Sequence, residues 1–103
     1  MAQRVSTNLE QDALDALAAF TPVRVSIIAL LRTDEPATRA HISAQLGLQT
    51  KTALYHLGQL QALSVVETEP PLGAERSGQR ILYRLNAVRV RELHATLGRA
   101  LGI

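Results

Sequence analysis

The chain has 103 residues, 47% of them hydrophobic, and a formal net charge of +2 at neutral pH. That is enough chain for one domain with a modest core and too little for a second. The absence of cysteine excludes disulfides, thiolate metal sites and cysteine nucleophiles. Phe20, Tyr55 and Tyr83 are the only aromatic residues, so the core is aliphatic, which favours helices. Thr7-Asn8-Leu9-Glu10 has the form of a capping box, and Leu9, Ala13, Ala16, Leu17 and Phe20 follow at helical spacing. A first helix over 8–20 is expected. Thr21-Pro22 opens a second, with a hydroxyl cap and proline at the first helical position. Ile27, Ile28, Leu30 and Leu31 are its apolar residues, and Asp34-Glu35-Pro36 ends it.

Thr38 caps a short third helix that closes at Leu46-Gly47, with Ile42 and Leu46 inward. A polar opening, Gln49-Thr50-Lys51-Thr52, starts a fourth that runs to about Leu63 with Ala53, Leu57 and Leu60 inward. Two short helices joined across a glycine form a helix-turn-helix arrangement. The period then changes to alternation. Ser64–Glu69 and Gln79–Leu85 read as strands, joined by a long tip over 70–78 that holds two prolines and two glycines. Asn86 caps a last helix over 87–101, with Val90, Leu93, Leu97 and Leu101 on one stripe. The fold class is mainly α with a small β-hairpin (α+β), in the order α-α-α-α-β-β-α, as a single domain over 1–103.

This is the element order of a winged helix-turn-helix domain. The residues that carry the resemblance are His41-Ile42-Ser43-Ala44-Gln45-Leu46-Gly47-Leu48, Thr52-Ala53-Leu54-Tyr55-His56-Leu57-Gly58-Gln59-Leu60, Ser64-Val65-Val66-Glu67 and Ile81-Leu82-Tyr83-Arg84-Leu85. The stretch Ala37–Leu85 resembles the winged-helix transcriptional regulators of the ArsR-like group, with the MarR-like group as near neighbour. Three positions depart from that pattern. Ser64 stands where similar proteins usually have glycine, Gln49 where the recognition helix often opens with serine, and Leu54 where a small polar residue is common.

Acidic residues concentrate early: Glu10, Asp12, Asp15, Asp34 and Glu35 outweigh Arg4, Arg24 and Arg32. Residues 36–66 carry Arg39 and Lys51 and no acid, and residues 70–91 carry Arg76, Arg80, Arg84, Arg89 and Arg91 against Glu75. Basic middle and late segments suit a polyanion partner. In a helix-turn-helix the second helix enters the major groove, and its first residues meet base edges. Helical spacing turns Gln49, Thr50, Lys51, Leu54 and Tyr55 outward. Gln49 suits adenine, Lys51 guanine or a phosphate, and Leu54 a thymine methyl, while Thr50 and Tyr55 offer hydroxyls. His56 lies at the edge of that face and reads as a half-buried hydrogen-bonding residue. On the hairpin tip, Arg76, Ser77 and Arg80 are the candidates for DNA contact, by arginine entry into the minor groove.

The resemblance implies that some regulators of this group hold a metal with carboxylates and histidines on the last helix. Glu92-x-His94 has the local spacing of only half such a site, so no metal and no other cofactor is expected. No phosphate loop, H-E-x-x-H or paired-carboxylate pattern supports an enzyme. No apolar run reaches the roughly 20 residues of a membrane span, which makes the cytoplasm the expected location. The first and last helices offer more apolar surface than one small core absorbs. Leu9, Leu17, Phe20, Val90, Leu93, Leu97 and Leu101 are therefore expected at a homodimer interface. The expected function is sequence-specific binding of double-stranded DNA at an inverted repeat, as a repressor, with any effector ligand unknown. The alternatives are a winged-helix protein-interaction module, or a replication or partition protein of plasmid or phage type.

Overall fold

The computed structural model describes residues 10–70 and 80–103. In chain order they form α1 (Gln11–Ala19), α2 (Pro22–Asp34), β1 (Ala37–Thr38), α3 (Arg39–Leu46), α4 (Thr50–Ala62), β2 (Val66–Glu69), β3 (Leu82–Leu85) and α5 (Ala87–Leu101). All the expected helices and both hairpin strands are present, and the wing gains a third, short strand. Leu9, Arg76 and Ser77 lie outside the described residues.

Local signals explain most of the helix ends. Pro22 sits in the first turn of α2, Thr38 Oγ1 accepts the His41 N–H at 3.1 Å, and Asn86 Oδ1 accepts the Arg89 N–H at 3.2 Å. Two expectations need correction. Glu10 is the N-cap of α1, so the described helix begins at Gln11 rather than at residue 8, and the capping box expected on Thr7 lies outside the described residues. Thr21 caps α2 by position only, with no side-chain hydrogen bond.

The sheet is antiparallel with the order β1-β3-β2. Ala37 faces Tyr83, which faces Thr68 on its other side. Tyr83 is thus the buried centre of the sheet. The sequence conceals β1 because two residues carry no alternation; pairing with β3 alone makes them a strand. Glu35 prolongs the ladder with its side chain, as its carboxylate accepts the Leu85 N–H at 2.6 Å.

Ile27 and Leu31 from α2, Ile42 from α3, Leu57 and Leu60 from α4, Leu93 from α5, and Val65 just before β2 fill the core, all fully buried. The α1 stripe differs from expectation. Ala13, Ala16 and Ala19 are the buried residues of α1, whereas Leu17 is 51% exposed. α1 packs on α5, and alanine lets two helix backbones approach closely where leucine would hold them apart.

Both helices of the helix-turn-helix end in a left-handed residue. Gly47 has φ 64° at the end of α3, and Leu48 N–H returns to Ser43 O at 3.0 Å. Ser64 has the same φ of 64° beyond α4, and Val65 N–H returns to Leu60 O at 2.9 Å. This is the physical reason glycine suits position 64. A left-handed non-glycine residue costs roughly 1–2 kcal/mol, of which glycine's unfolded-state entropy takes back part. Ser64→Gly is therefore expected to stabilise the fold by about 0.5–1 kcal/mol, read as a higher urea midpoint at unchanged slope.

Candidate nucleic-acid interface

The turn Gly47-Leu48-Gln49 sets the direction of α4. Leu46 and Leu48, with Pro22, Val23 and Ser26, line a mostly apolar pocket of about 210 Å³ between the turn and the start of α2. Ala53 N–H donates to Gln49 O at 3.0 Å and opens the helix. The Gln49 side chain makes no cap bond and stays exposed.

Helix α4 separates its faces as its spacing requires. Ala53, Leu57 and Leu60 are fully buried. Gln49, Thr50, Lys51, Leu54 and Tyr55 share the exposed face, Leu54 at 45% and Tyr55 at 60% exposure. An exposed leucine and tyrosine beside a lysine and two hydrogen-bonding side chains can meet both apolar and polar features of a base-pair edge.

At the N-terminal end of this face, Thr50 lines a concavity of about 330 Å³ together with Arg39, Ala40, Arg80 and Ile81. Arg39 is the first residue of α3 and Thr50 the first of α4, so the positive ends of two helices and two arginine residues border it. Among the described residues no carboxylate pairs with Arg39, Arg80 or Lys51. The arrangement attracts anionic groups. Arg39 was not singled out from the sequence. The signal was there: with Thr38 as cap, the next residue must stand at the rim of the motif.

Other basic residues are neutralised at home. Arg84 pairs with Glu69 at 3.1 Å on the sheet. Arg89 reaches Asp12 and Asp15 of α1 at 3.3 Å each and donates to Leu63 O at 3.1 Å. The basic character that the sequence assigns to residues 70–91 is therefore partly spent on structure. His41 Nε2 and Asp34 Oδ2 lie 2.9 Å apart, joining α3 to the end of α2. That bond, then one from Thr33, holds the Asp34 carboxyl below its ordinary range.

His56 stands at the edge of the exposed face, half-buried, and accepts the Arg24 Nε–H on Nδ1 at 3.0 Å. Burial and then the Arg24 charge hold its pKa below the ordinary histidine value. Near neutral pH it is an uncharged acceptor. Among the described residues no group of three His, Asp or Glu side chains is placed to hold a metal ion, and no single helix is long and apolar enough to cross a membrane.

A family of helix-turn-helix domains matches residues 21–69, from the N-cap of α2 to the end of β2, just under half of the chain. The described residues have a winged helix-turn-helix fold. Among solved structures it is similar to a mutant of ZitR from Lactococcus lactis, at 16% identity and a TM-score of 0.47, over 96% of this chain and 59% of that one. It thus spans about three fifths of the length of that relative. No curated protein matches it in sequence.

The second helix of the helix-turn-helix motif is α4. Leu9 lies outside the described residues, and the other six residues expected at a homodimer interface divide into three groups. Leu93 is fully buried within the single chain, a core residue that presents nothing to a partner, because α5 lays it against the core that α1 helps to close. Phe20, Val90 and Leu97 are partly buried against the same core. Leu17 and Leu101 are exposed, at 51% and 65%, and Leu14 and Ile103 join them at 45% and 92%.

Proposed function

We propose that this chain is a non-enzymatic transcription regulator that binds an inverted repeat in double-stranded DNA as a homodimer and represses by occupying a promoter. One observation carries the DNA reading. Gln49, Thr50, Lys51, Leu54 and Tyr55 all lie on the exposed face of α4, and the start of that face is flanked by Arg39 and Arg80, cations without a carboxylate partner among the described residues. Groups able to read bases and groups able to bind phosphate would thus stand side by side, which supports a duplex as partner. Leu14 and Leu17 of α1, with Leu101 and Ile103 at the end of α5, support a twofold contact by their exposure.

The test is selection of bound duplexes from a random pool, followed by sequencing. The expected result is an inverted repeat whose half-site centres are about 34–36 Å apart. Failure to enrich any sequence would overturn the proposal. On the selected duplex, Arg39→Ala and Arg80→Ala are each expected to weaken binding to all sequences alike. Each lowers the dependence of log affinity on log salt by about one phosphate contact. Unchanged slopes in both variants would remove the concavity beside Thr50 from the interface.

A further inference from the structure

The exposed face of α4 is held from behind by a residue of another helix. Arg24, in the first turn of α2, is only 9% exposed. Its Nη1 donates to Ala18 O at 2.8 Å, a carbonyl in the last turn of α1. Its Nε donates to His56 Nδ1 at 3.0 Å on α4. Its guanidinium carbon stands 5.9 Å from the centroid of the Tyr55 ring, and the Tyr55 and His56 rings meet edge to face, with centroids 5.2 Å apart. One planar group therefore fixes the end of α1, the start of α2 and two consecutive side chains of α4. Among the described residues no carboxylate pairs with Arg24. The bond to Ala18 O caps the end of α1, but it does not account for a buried guanidinium, without a carboxylate partner among the described residues, whose carbon also stands over a ring that is 60% exposed.

We infer that Arg24 is a positioning residue for DNA binding: its fork holds His56 and the inner side of the Tyr55 ring, so that the Tyr55 hydroxyl is presented to the duplex in one direction. Arg24 acts through Tyr55 and does not itself read a base. The inference rests on α4 being the DNA-contacting helix. Lysine keeps the charge but has no planar fork to bond Ala18 O and His56 Nδ1 together, so it cannot replace arginine in this role.

The experiment measures affinity for the selected duplex by fluorescence anisotropy. It uses Arg24→Met and Arg24→Lys, each with Tyr55 present and with Tyr55→Ala, under conditions where circular dichroism shows each variant folded. Both Arg24 variants are expected to weaken binding by about tenfold when Tyr55 is present. With Tyr55→Ala in place, the same changes should shift affinity by less than about twofold. The proposal is overturned if Arg24→Met leaves affinity unchanged, if Arg24→Lys restores it, or if the loss is equally large without Tyr55. These outcomes mean no role, a role of charge alone, and a general loosening of α2 against α4, respectively.

Nitrogen-15 spectra of the wild-type imidazoles supply a measurement that needs neither a variant nor DNA. His56 is expected to be neutral near pH 7 with its proton on Nε2, leaving Nδ1 to accept from Arg24. A proton on Nδ1 would overturn the proposal even if the Arg24 variants failed to fold. A wild-type protein that enriches no duplex overturns the DNA reading and this inference with it. A bound duplex with a null Tyr55 cycle overturns this inference alone.

Discussion

Leu93→Glu is expected to abolish the folded state, while Leu17→Glu combined with Leu101→Glu is expected to give a folded monomer. Leu93 is fully buried between α5 and the core, and loss of a buried leucine side chain alone costs about 2–5 kcal/mol. An unpaired carboxylate in the same place adds several kcal/mol more. Together these match the roughly 5–15 kcal/mol that holds a small domain folded. Leu17 and Leu101 are 51% and 65% exposed, so charge there meets water in the single chain and is costly only beneath a partner. Circular dichroism reads the first result as lost helix. Light scattering reads the second as half the wild-type mass at retained helix content. A double variant that keeps the wild-type mass would move the dimer contact away from these leucines. A wild-type protein that is already monomeric at high micromolar concentration would remove the dimer altogether.

That pair of variants also shows where sequence reading stops. Val90, Leu93, Leu97 and Leu101 form one helical stripe in the sequence, and periodicity treats them alike. The structure grades them from fully buried Leu93, through half-buried Val90 and Leu97, to exposed Leu101. The stripe runs off the end of the core, and where the core ends is a matter of tertiary packing. The same holds on α1, where the spacing includes Leu17 but close approach to α5 selects the alanines.

Features with a local cause were legible. Thr38, Gly47 and Asn86 each act within a few residues of themselves, and the helix ends they mark stand where expected. The inward set Ala53, Leu57 and Leu60 and the outward set from Gln49 to Tyr55 follow from one helix period, so the candidate reading face was legible too. Long-range pairings were not. β1 exists through Tyr83 and Leu82, far along the chain. Arg84 and Arg89 count as free positive charge in the sequence, but Glu69, Asp12 and Asp15 neutralise them in the fold. Arg24 reads as one charge on an early helix, and its role becomes visible only with His56, 32 residues later, beside it. Half-burial of His56 was readable from its place at the edge of the α4 face; its partner was not.

The second large effect concerns which bases are read. Gln49→Ala and Thr50→Ala are expected to relax sequence preference at one or two base pairs in each half-site, without loss of the fold. Both residues are exposed at the start of α4 and neither side chain supports the helix: Gln49 makes no cap bond, and the first turn is opened by its backbone carbonyl. A side chain bonded to a base edge contributes about 1–3 kcal/mol of discrimination at that pair, whereas a phosphate contact contributes affinity without preference. The two classes therefore separate in one experiment. Repeating the duplex selection with each alanine variant should flatten the information at the bases that side chain reads and leave the other positions intact. Arg39→Ala and Arg80→Ala should instead leave the selected sequence unchanged while lowering affinity. In a twofold dimer each α4 meets an equivalent half-site, so the flattening must appear in both halves at symmetric positions. Flattening in one half only would contradict the homodimer. An unchanged selected sequence after alanine at Gln49, Thr50, Lys51, Leu54 and Tyr55 together would show that α4 reads no bases, and the protein-interaction reading of its leucine and tyrosine would then be the better one.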